Sequence, residues 1–352
     1  MTISVGIDIH KKTSTFYALL EDGEPWTEFN SQFRRVPSTK NGYLEVAAYI
    51  GGRDCNFLME NSTKTHDSYW ILHSLGFENL HVAHAADLKR ITKSDKKNDD
   101  NDAMILATYM RVKLLNVDQF RCCYICTHEE MMDRRLCRIA KQEMMEAGRL
   151  TRRVRAEFLL FGTGCPYDID TKMAHEWMMR HHDPALAALG RAMEDSRIRQ
   201  RDLEKTIESR FSGKPIYEKL RSIPGFGVVT SAYLDSIIVD IDRFDNAKEL
   251  ASYIGIVPRQ RDSGETESHC RITKTGDPNA RWLLIQAVFR LVSTQAEDSD
   301  LKEFFNRKNG GSIAERKEQG LRPECSRLAL VASANKLCRI LFALLTHPER
   351  TW

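Results

Sequence analysis

The sequence lacks the features that would place a protein in a membrane or outside the cell. Its N-terminus has no basic start followed by an apolar run, which is the pattern of a secretory signal. The most apolar stretches, such as residues 337–345, are too short to span a bilayer and include Arg339. The nine cysteines are odd in number and irregularly spaced, which favours a reducing compartment over a disulfide framework. We therefore expect a cytoplasmic protein with no membrane partner.

A strong charge excess is also missing, since the formal net charge of the 352 residues is +3. So small an excess says little about a polyanionic partner, and the distribution of charge matters more. Hydrophobic residues make up 42% of the chain, enough for a sizeable core in two domains or in one domain with a helical extension.

The cysteines suggest a possible zinc site, but their spacing does not support one. Cys122, Cys123 and Cys126 lie near His128, but the sequence has no second CxxC or HxxxH at finger spacing. We favour ordinary buried or half-buried thiols on a strand or loop.

The first 115 residues alternate between strand and helix patterns. Strands are predicted at 2–9, 13–20, 26–33, 56–60 and 79–85, and helices at 37–50, 68–75 and 99–113. Three hairpin-linked strands followed by helix, strand, helix, strand and helix is the element order of an RNase H-like domain, as found in RuvC-type nucleases. We expect an α/β N-terminal domain of that class, although many α/β domains share parts of this order.

Four carboxylates in this region are candidates for one acidic site. Asp8 ends the first strand, Glu60 ends the fourth, and Asp99 and Asp102 lie three residues apart at a helix start, on one helix face. Converging carboxylates repel unless cations neutralise them, which favours Mg²⁺ or Mn²⁺. Two such ions about 4 Å apart can hold the attacking and leaving oxygens of a phosphodiester. Helix capping is the alternative for Asp99 and Asp102, and Asp100 competes with Asp99.

A long helical segment with a basic face follows the α/β region. Between residues 133 and 155 lie eight basic and three acidic residues. Such a run is either a solvated helix face or a surface for nucleic acid, or the basic side of a dimerising coiled coil. The candidate nucleic-acid contacts are Arg134, Arg138, Arg152 and Arg153.

The C-terminal part predicts a mostly α-helical domain with two polar motifs. Pro224-Gly225-Phe226-Gly227 resembles the turn of a helix-hairpin-helix, in which Gly225 and Gly227 would approach DNA phosphates; an ordinary tight turn is the alternative. Ser263-Gly264 lies in a polar loop flanked by the cations Arg259, Arg261, Lys274 and Arg281. A hydroxyl among cations suits an approach to phosphate, whereas Ser-Gly alone is typical of a turn.

The ordered set of motifs resembles the insertion-sequence transposases of the "one-ten" family, which are bridge-RNA-guided recombinases, and their relatives the Piv-type DNA invertases. The matching segments are Gly6-Ile7-Asp8, Met59-Glu60-Asn61-Ser62, residues 97–103, Ile223-Pro224-Gly225-Phe226-Gly227, residues 253–258, Asp262-Ser263-Gly264 and residues 273–276 with Arg281. His10, Lys64 and Asp277 differ from residues common in the family.

This resemblance implies a metal-dependent DEDD site of Asp8, Glu60, Asp99 and Asp102, chosen over Asp100, and a nucleophile at Ser263. It implies a RuvC-like domain at 1–115, a helical coiled-coil linker at 116–212 and a serine transposase domain at 213–352. The implied partners are donor and target DNA, a structured bridge RNA that chooses sequence, and further copies of the chain in a dimer or tetramer, within the bacterial cytoplasm and at the nucleoid during action.

Three other functions fit parts of the sequence. A Piv-like invertase would use the same chemistry without a guide RNA. A Holliday-junction nuclease would need only the acidic site and Mg²⁺, and Ser263 would be dispensable. A nucleic-acid-binding scaffold would keep its function after Asp8→Asn.

Overall fold

The protein divides into two compact units, Met1–Thr127 and His128–Trp352. The computed structural model describes residues 2–84, 88, 99–115, 122–162, 164–257, 272–273, 275–293, 295–318 and 326–352, with the backbone alone at 99–100 and 316–317. The predicted division of the helical part at residue 212 stays a prediction.

The first unit is built on a mixed sheet, which confirms an α/β N-terminal domain. Its strands in the described residues are β1 Ile3–Ile9, β2 Thr13–Leu19, β3 Val36–Pro37, β4 Cys55–Glu60 and β5 Asn79–Ala83. They lie in the order β3-β2-β1-β4-β5. The β1–β2 and β2–β3 pairs are antiparallel, and the β1–β4 and β4–β5 pairs are parallel.

The strand predicted at residues 26–33 is wrong. This segment contains the helix α1 Thr27–Gln32, and the third strand is the short β3 after it. Trp26, Phe29 and Phe33 are spaced by three and four residues, which is helical spacing rather than the alternation of a strand. Phe29 is fully buried and its ring stacks on Trp26 with centroids 5.0 Å apart.

Helices cover both faces of the sheet. They are α2 Lys40–Ile50, α3 Thr65–Ser74 and α4 Asp99–Leu114. Val5 and Ile7 of β1 pack with Tyr43 of α2 and Leu72 of α3 in one apolar core. Leu58 of β4 packs with α4 in a second core on the opposite face.

The described part of the second unit is helical. Its helices are α5 His128–Phe161, α6 Lys172–Met179, α7 Pro184–Phe211, α8 Pro215–Arg221, α9 Val228–Ile238, α10 Ala247–Ile254, α11 Pro278–Leu291, α12 Asp300–Asn309, α13 Ile313–Glu318 and α14 Arg327–Thr346, with a 3₁₀ turn at Ile241–Arg243. The helices predicted at 172–190 and 196–211 are wrong in their boundary. α7 starts earlier because the Asp183 side chain caps it and Pro184 occupies its first position.

Two apolar cores hold this unit together. The smaller joins Val154 and Phe158 of α5 to Met178 of α6 and Leu189 of α7. The larger surrounds α9 and α14. By length and composition alone α14 could span a bilayer, but much of it is buried and a core helix passes the same test, so this is weak evidence for a membrane span.

Candidate active site

Asp8 and Glu60 end two neighbouring parallel strands at the same edge of the sheet. The paired residues of β1 and β4 run as far as Ile7 opposite Met59. Asp8 and Glu60 are the next residue on each strand, so the same register sets them side by side. Because paired residues of parallel strands point to the same face, the two side chains leave the sheet on one side.

That side is the one covered by α4, because Gly6 lets the helix touch the strand. A Cβ on Gly6 would lie 1.9 Å from the carbonyl oxygen of Ala103 and 2.5 Å from the amide nitrogen of Ala107. Since side chains alternate along a strand, Asp8 shares the face of Gly6. The contact at Ala103 therefore brings the first turn of α4, which contains Asp102, over the end of β1.

The carboxyl group of Asp8 is largely buried and already engaged. Its side chain is 14% exposed, and its Oδ2 lies 3.1 Å from Nε2 of the half-exposed His10. The imidazole of His10 therefore lies directly beside this carboxylate. This contact was not expected from the sequence.

The donor chemistry of this edge fits a hard divalent cation. Asp8, Glu60 and Asp102 offer only carboxylate oxygens, the ligands that Mg²⁺ and Mn²⁺ prefer. Among the residues whose side chains are described, no group of three or more His, Cys, Asp or Glu is close enough to hold a metal. The fourth predicted ligand, Asp99, is the first residue of α4, and its side chain lies outside the described set. Its predicted convergence with Asp102 stays a prediction.

The Pro-Gly-x-Gly segment forms a tight turn between α8 and α9. Gly225 has φ +78°, a backbone conformation that residues other than glycine rarely adopt. Its carbonyl accepts a hydrogen bond of 3.0 Å from Nη1 of Arg290. Gly227 precedes the first residue of α9 as its N-cap. The turn is confirmed, and contact of Gly225 and Gly227 with DNA stays a prediction.

Arg281 and Asp277 hold the base of the segment that contains the predicted serine. Nη1 of Arg281 donates to the carbonyls of Ile254 at 3.1 Å and Gly276 at 2.7 Å, and burial lowers the pKa of this guanidinium from its usual value. The Asp277 side chain caps α11 and accepts from the Tyr233 hydroxyl at 2.9 Å. Burial, with Asp277 nearby, raises the pKa of Tyr233 to about 12. Aspartate and asparagine are both favoured at such an N-cap position.

The predicted nucleophile and three of its flanking cations lie outside the described residues. These are Ser263, Arg259, Arg261 and Lys274. The described residues that flank 258–271 are hydrogen-bonded to each other, since the amide of Thr273 donates to the carbonyl of Val257 at 3.0 Å.

The four arginines predicted to contact nucleic acid differ in their surroundings. Arg134 is half-buried, and its Nε donates to the carbonyl of Ser236 at 2.8 Å, which ties α5 to α9. Arg138 is exposed, and its guanidinium lies close enough to the Tyr233 hydroxyl to lower the pKa of that group slightly against the larger effect of burial. Arg152 and Arg153 are exposed near the other end of α5. Nucleic-acid contact by all four stays a prediction.

The cysteines near residue 122 do not gather into a zinc site within the described side chains. Cys126 is buried, and its carbonyl accepts from Trp70 Nε1 at 2.9 Å. Cys122 is exposed, 3.2 Å from Lys113 Nζ.

Two family models match the chain in separate regions. Residues 5–158 match the transposase model DEDD_Tnp_IS110, which spans the sheet, α4 and most of α5. Residues 217–305 match the model of the Transposase IS116/IS110/IS902 family, which spans the Pro-Gly-x-Gly turn and the segment containing Ser263.

Known proteins with similar sequences carry related names. The transposase for insertion sequence element IS1111A of Coxiella burnetii is 31% identical over 148 residues, 42% of this chain and 38% of that protein. The transposase for insertion sequence element IS1328 of Yersinia enterocolitica is 27% identical over 146 residues, 42% of this chain and 40% of that protein. In these two comparisons the chain thus spans less than half the length of its relative.

One similarity extends over nearly the whole chain. The putative transposase y4qE of Sinorhizobium fredii is 22% identical over 370 residues, which cover 99% of this chain and 89% of that protein. The two models and the relatives agree on one family in both regions of the chain. Both regions of the chain are therefore similar to transposases of the IS116/IS110/IS902 family, and residues 5–158 to the DEDD transposase domain of that family.

Proposed function

We propose that the protein is a DNA transposase that cleaves and exchanges DNA strands. The observation that supports this most directly is the Gly6–Ala103 contact, which packs the helix containing Asp102 against β1, the strand that contains Asp8. The strand order β3-β2-β1-β4-β5 agrees with an RNase H-like domain, in which carboxylates at this edge act on phosphodiesters.

The proposed role of the carboxylates is to hold Mg²⁺ or Mn²⁺ against the scissile phosphate. Asp8 and Glu60 lie on rigid strands, and Asp99 and Asp102 on the first turn of the facing helix. When bound, divalent ions stabilise the charge that develops on the attacking and leaving oxygens. The chain's own contribution is to fix the carboxylate oxygens in place. It also excludes water on the α4 side of the sheet, where Leu58 and Leu106 are buried.

The proposed nucleophile is Ser263. Its hydroxyl oxygen would form a bond to phosphorus while the bond to a DNA oxygen breaks, leaving one DNA end attached to the protein. Support comes from the match of residues 217–305 to the family model and from the cations flanking this serine in the sequence.

Guidance by a structured bridge RNA, a dimer or tetramer as the working assembly, and action in the bacterial cytoplasm at the nucleoid are further parts of this proposal. Their support is the ordered motif set, from Gly6-Ile7-Asp8 to residues 273–276 with Arg281. The protein would then read mainly phosphate backbone and RNA shape, while base pairing selects the sequence.

The test is recombination by the purified full chain together with the RNA that co-purifies with it. We expect Ser263→Ala to abolish strand exchange and the covalent protein–DNA adduct, measured on a denaturing gel. We expect Asp8→Asn to abolish strand exchange as well. A matched control is Asp54→Asn, because Asp54 precedes β4 at the end of the strand opposite Glu60 and its side chain accepts a surface hydrogen bond of 2.8 Å from Thr2.

The alternatives give different results in the same assay. Recombination that persists in Ser263→Ala would contradict the serine mechanism, and hydrolysis of branched DNA by that variant would favour a junction nuclease. Strand exchange that survives removal of all RNA would favour a Piv-like invertase. Full function in Asp8→Asn would leave only a binding scaffold.

A further inference from the structure

A cavity between the two long helices of the second unit is lined by cations. It lies between α5, α6 and α7, and its volume is about 480 Å³. α7 lines it with Met193, Ser196, Arg197 and Gln200, whose spacing puts them on one helix face. α5 contributes a parallel face that includes Gly148, and α6 contributes His175.

Three guanidinium groups surround this cavity, those of Arg152 and Arg155 on α5 and Arg197 on α7. Among the lining residues the one carboxylate is Asp170. Its Oδ1 accepts from the Thr151 hydroxyl at 2.8 Å, and its Oδ2 is 3.8 Å from Nη2 of Arg155. Arg197 is paired with Glu194, which lies behind the lining residues, through a hydrogen bond of 2.8 Å from its Nε. With Asp170 near Arg155, the guanidinium of Arg152 therefore gives the cavity its excess positive charge, and guanidinium groups suit the oxygens of a phosphate.

His175 adds a polar atom that has no hydrogen-bond partner among the described residues. The residue is 3% exposed, and its Nδ1 lies 3.1 Å from Oε2 of Glu194. Hydrogen bonds from Arg197, and then from His175, hold the pKa of Glu194 at about 2, so this carboxylate is ionised and keeps a proton on Nδ1. Nε2 is left buried without a partner. Such an atom costs free energy unless a bound group satisfies it.

We propose that this cavity, the hairpin pocket, binds a phosphate group of a single nucleic-acid strand. The guanidinium groups would hold the phosphate oxygens, and Nε2 of His175 would be a hydrogen-bond partner for the bound group. The volume exceeds what one phosphate needs and lies in the range of roughly 300–1,000 Å³ of small-molecule pockets. Leu150 and Met193 line the remaining space with apolar atoms that suit a sugar or base. The phosphate site stands on the pocket alone, whereas its occupant being a strand rests on the proposed function.

Gly148 permits a test that changes no charge. A Cβ there would lie 3.6 Å from Nη1 of Arg152 and meets no other atom within 4 Å. A larger side chain at this position would enter the hairpin pocket. Leucine also has a higher helix propensity than glycine, so Gly148→Leu should not weaken α5.

The first experiment titrates inorganic phosphate into the full chain and measures binding by calorimetry, with circular dichroism as the check of folding. We expect binding to weaken at least tenfold in Gly148→Leu and in Arg155→Gln. The control is Arg199→Gln, since Arg199 lies on α7 but pairs with Glu143 at 3.1 Å and does not line the pocket. Equal phosphate binding in all variants, or none in the wild type, would overturn the proposal.

A second arm isolates the histidine. His175→Asn keeps an amide donor for Glu194 but lacks Nε2, so we expect weaker phosphate binding with unchanged folding. Unchanged binding would overturn the assignment of Nε2 to the site.

A third arm identifies the source of the phosphate by using a fluorescent single-stranded oligonucleotide in place of inorganic phosphate. Weaker binding of the oligonucleotide in Gly148→Leu supports a strand. Loss of inorganic phosphate binding with unchanged oligonucleotide binding would overturn the strand and point to a free anion. None of these measurements depends on recombination, so failure of the proposed function is distinguishable from failure of the pocket.

Discussion

Substitution of Gly6 by alanine tests how the acidic edge is positioned. The added Cβ would lie 1.9 Å from a backbone oxygen of α4, against a limit of about 3.0 Å that real contacts respect. Because the two nearest atoms of α4, the carbonyl oxygen of Ala103 and the amide nitrogen of Ala107, belong to the backbone, no side-chain rotation can relieve the contact. α4 must therefore move from β1 by about 1 Å, the difference between these two distances.

That displacement should reduce catalysis more than stability. Overpacking of a core costs about 1–3 kcal/mol, which a domain of this size can tolerate. A misplacement of about 1 Å in a reacting group can cost roughly 100-fold in rate. We therefore expect Gly6→Ala to remain folded and to lose recombination by about two orders of magnitude, because Asp102 moves away from Asp8.

The assay is the strand-exchange rate at saturating Mg²⁺, with thermal unfolding followed in parallel. Gly164→Ala is the control, since its Cβ meets no atom within 4 Å and its φ is not positive. Wild-type rates in Gly6→Ala would refute the reasoning that the Gly6–Ala103 contact sets the site. If Gly6→Ala unfolds at the assay temperature, the same variant is assayed at lower temperature, where the same loss of rate is expected.

Two further predictions concern the charges buried in the second unit. Asp133 is 3% exposed and pairs with Arg210 and, at 2.6 Å, with Lys214. Asp133→Ala should therefore lower the free energy of unfolding, measured by urea titration, by about 3 kcal/mol. A loss below about 1 kcal/mol would contradict a structural role for this residue. Burial raises the pKa of Asp235 from 3.8 to about 6, so the folded protein binds more protons between these values and loses stability as pH rises through them. The change in unfolding free energy caused by Asp235→Asn should therefore be more favourable at pH 8 than at pH 4, by on the order of 2 kcal/mol. An equal change at both pH values would contradict this.

The sheet was predictable where the apolar pattern has one interpretation. β1, β2, β4 and β5 combine apolar runs with strand-forming residues, and the structure places each within a few residues of its prediction. The segment 26–33 failed because aromatic residues favour strands by type, while their spacing of three and four is helical. Spacing decides such a case, because it determines which residues can share a buried face.

The site was predictable as a set of residue types and only partly as a geometry. Asp8 and Glu60 follow from carboxylates that end apolar strands. The role of Gly6 does not, because only the packing of α4 shows that a Cβ would meet the Ala103 carbonyl. His175 gave no signal in the sequence, since a lone histidine on an amphipathic helix is ordinary. The spacing of Ser196, Arg197 and Gln200 was the available hint of a polar face on α7.

Both parts of the proposed chemistry depend on close backbone contacts at glycines. At Gly6 the partner is the Ala103 carbonyl, and two residues later comes Asp8. At Gly276 a Cβ would lie 2.1 Å from the Tyr253 carbonyl, and this contact holds together the two ends of the segment that contains Ser263. In each case the nearest atom is a backbone oxygen, so a side chain at the glycine can be accommodated only if the backbone moves. Substitution of either glycine should therefore reduce recombination without removing any of the proposed catalytic groups.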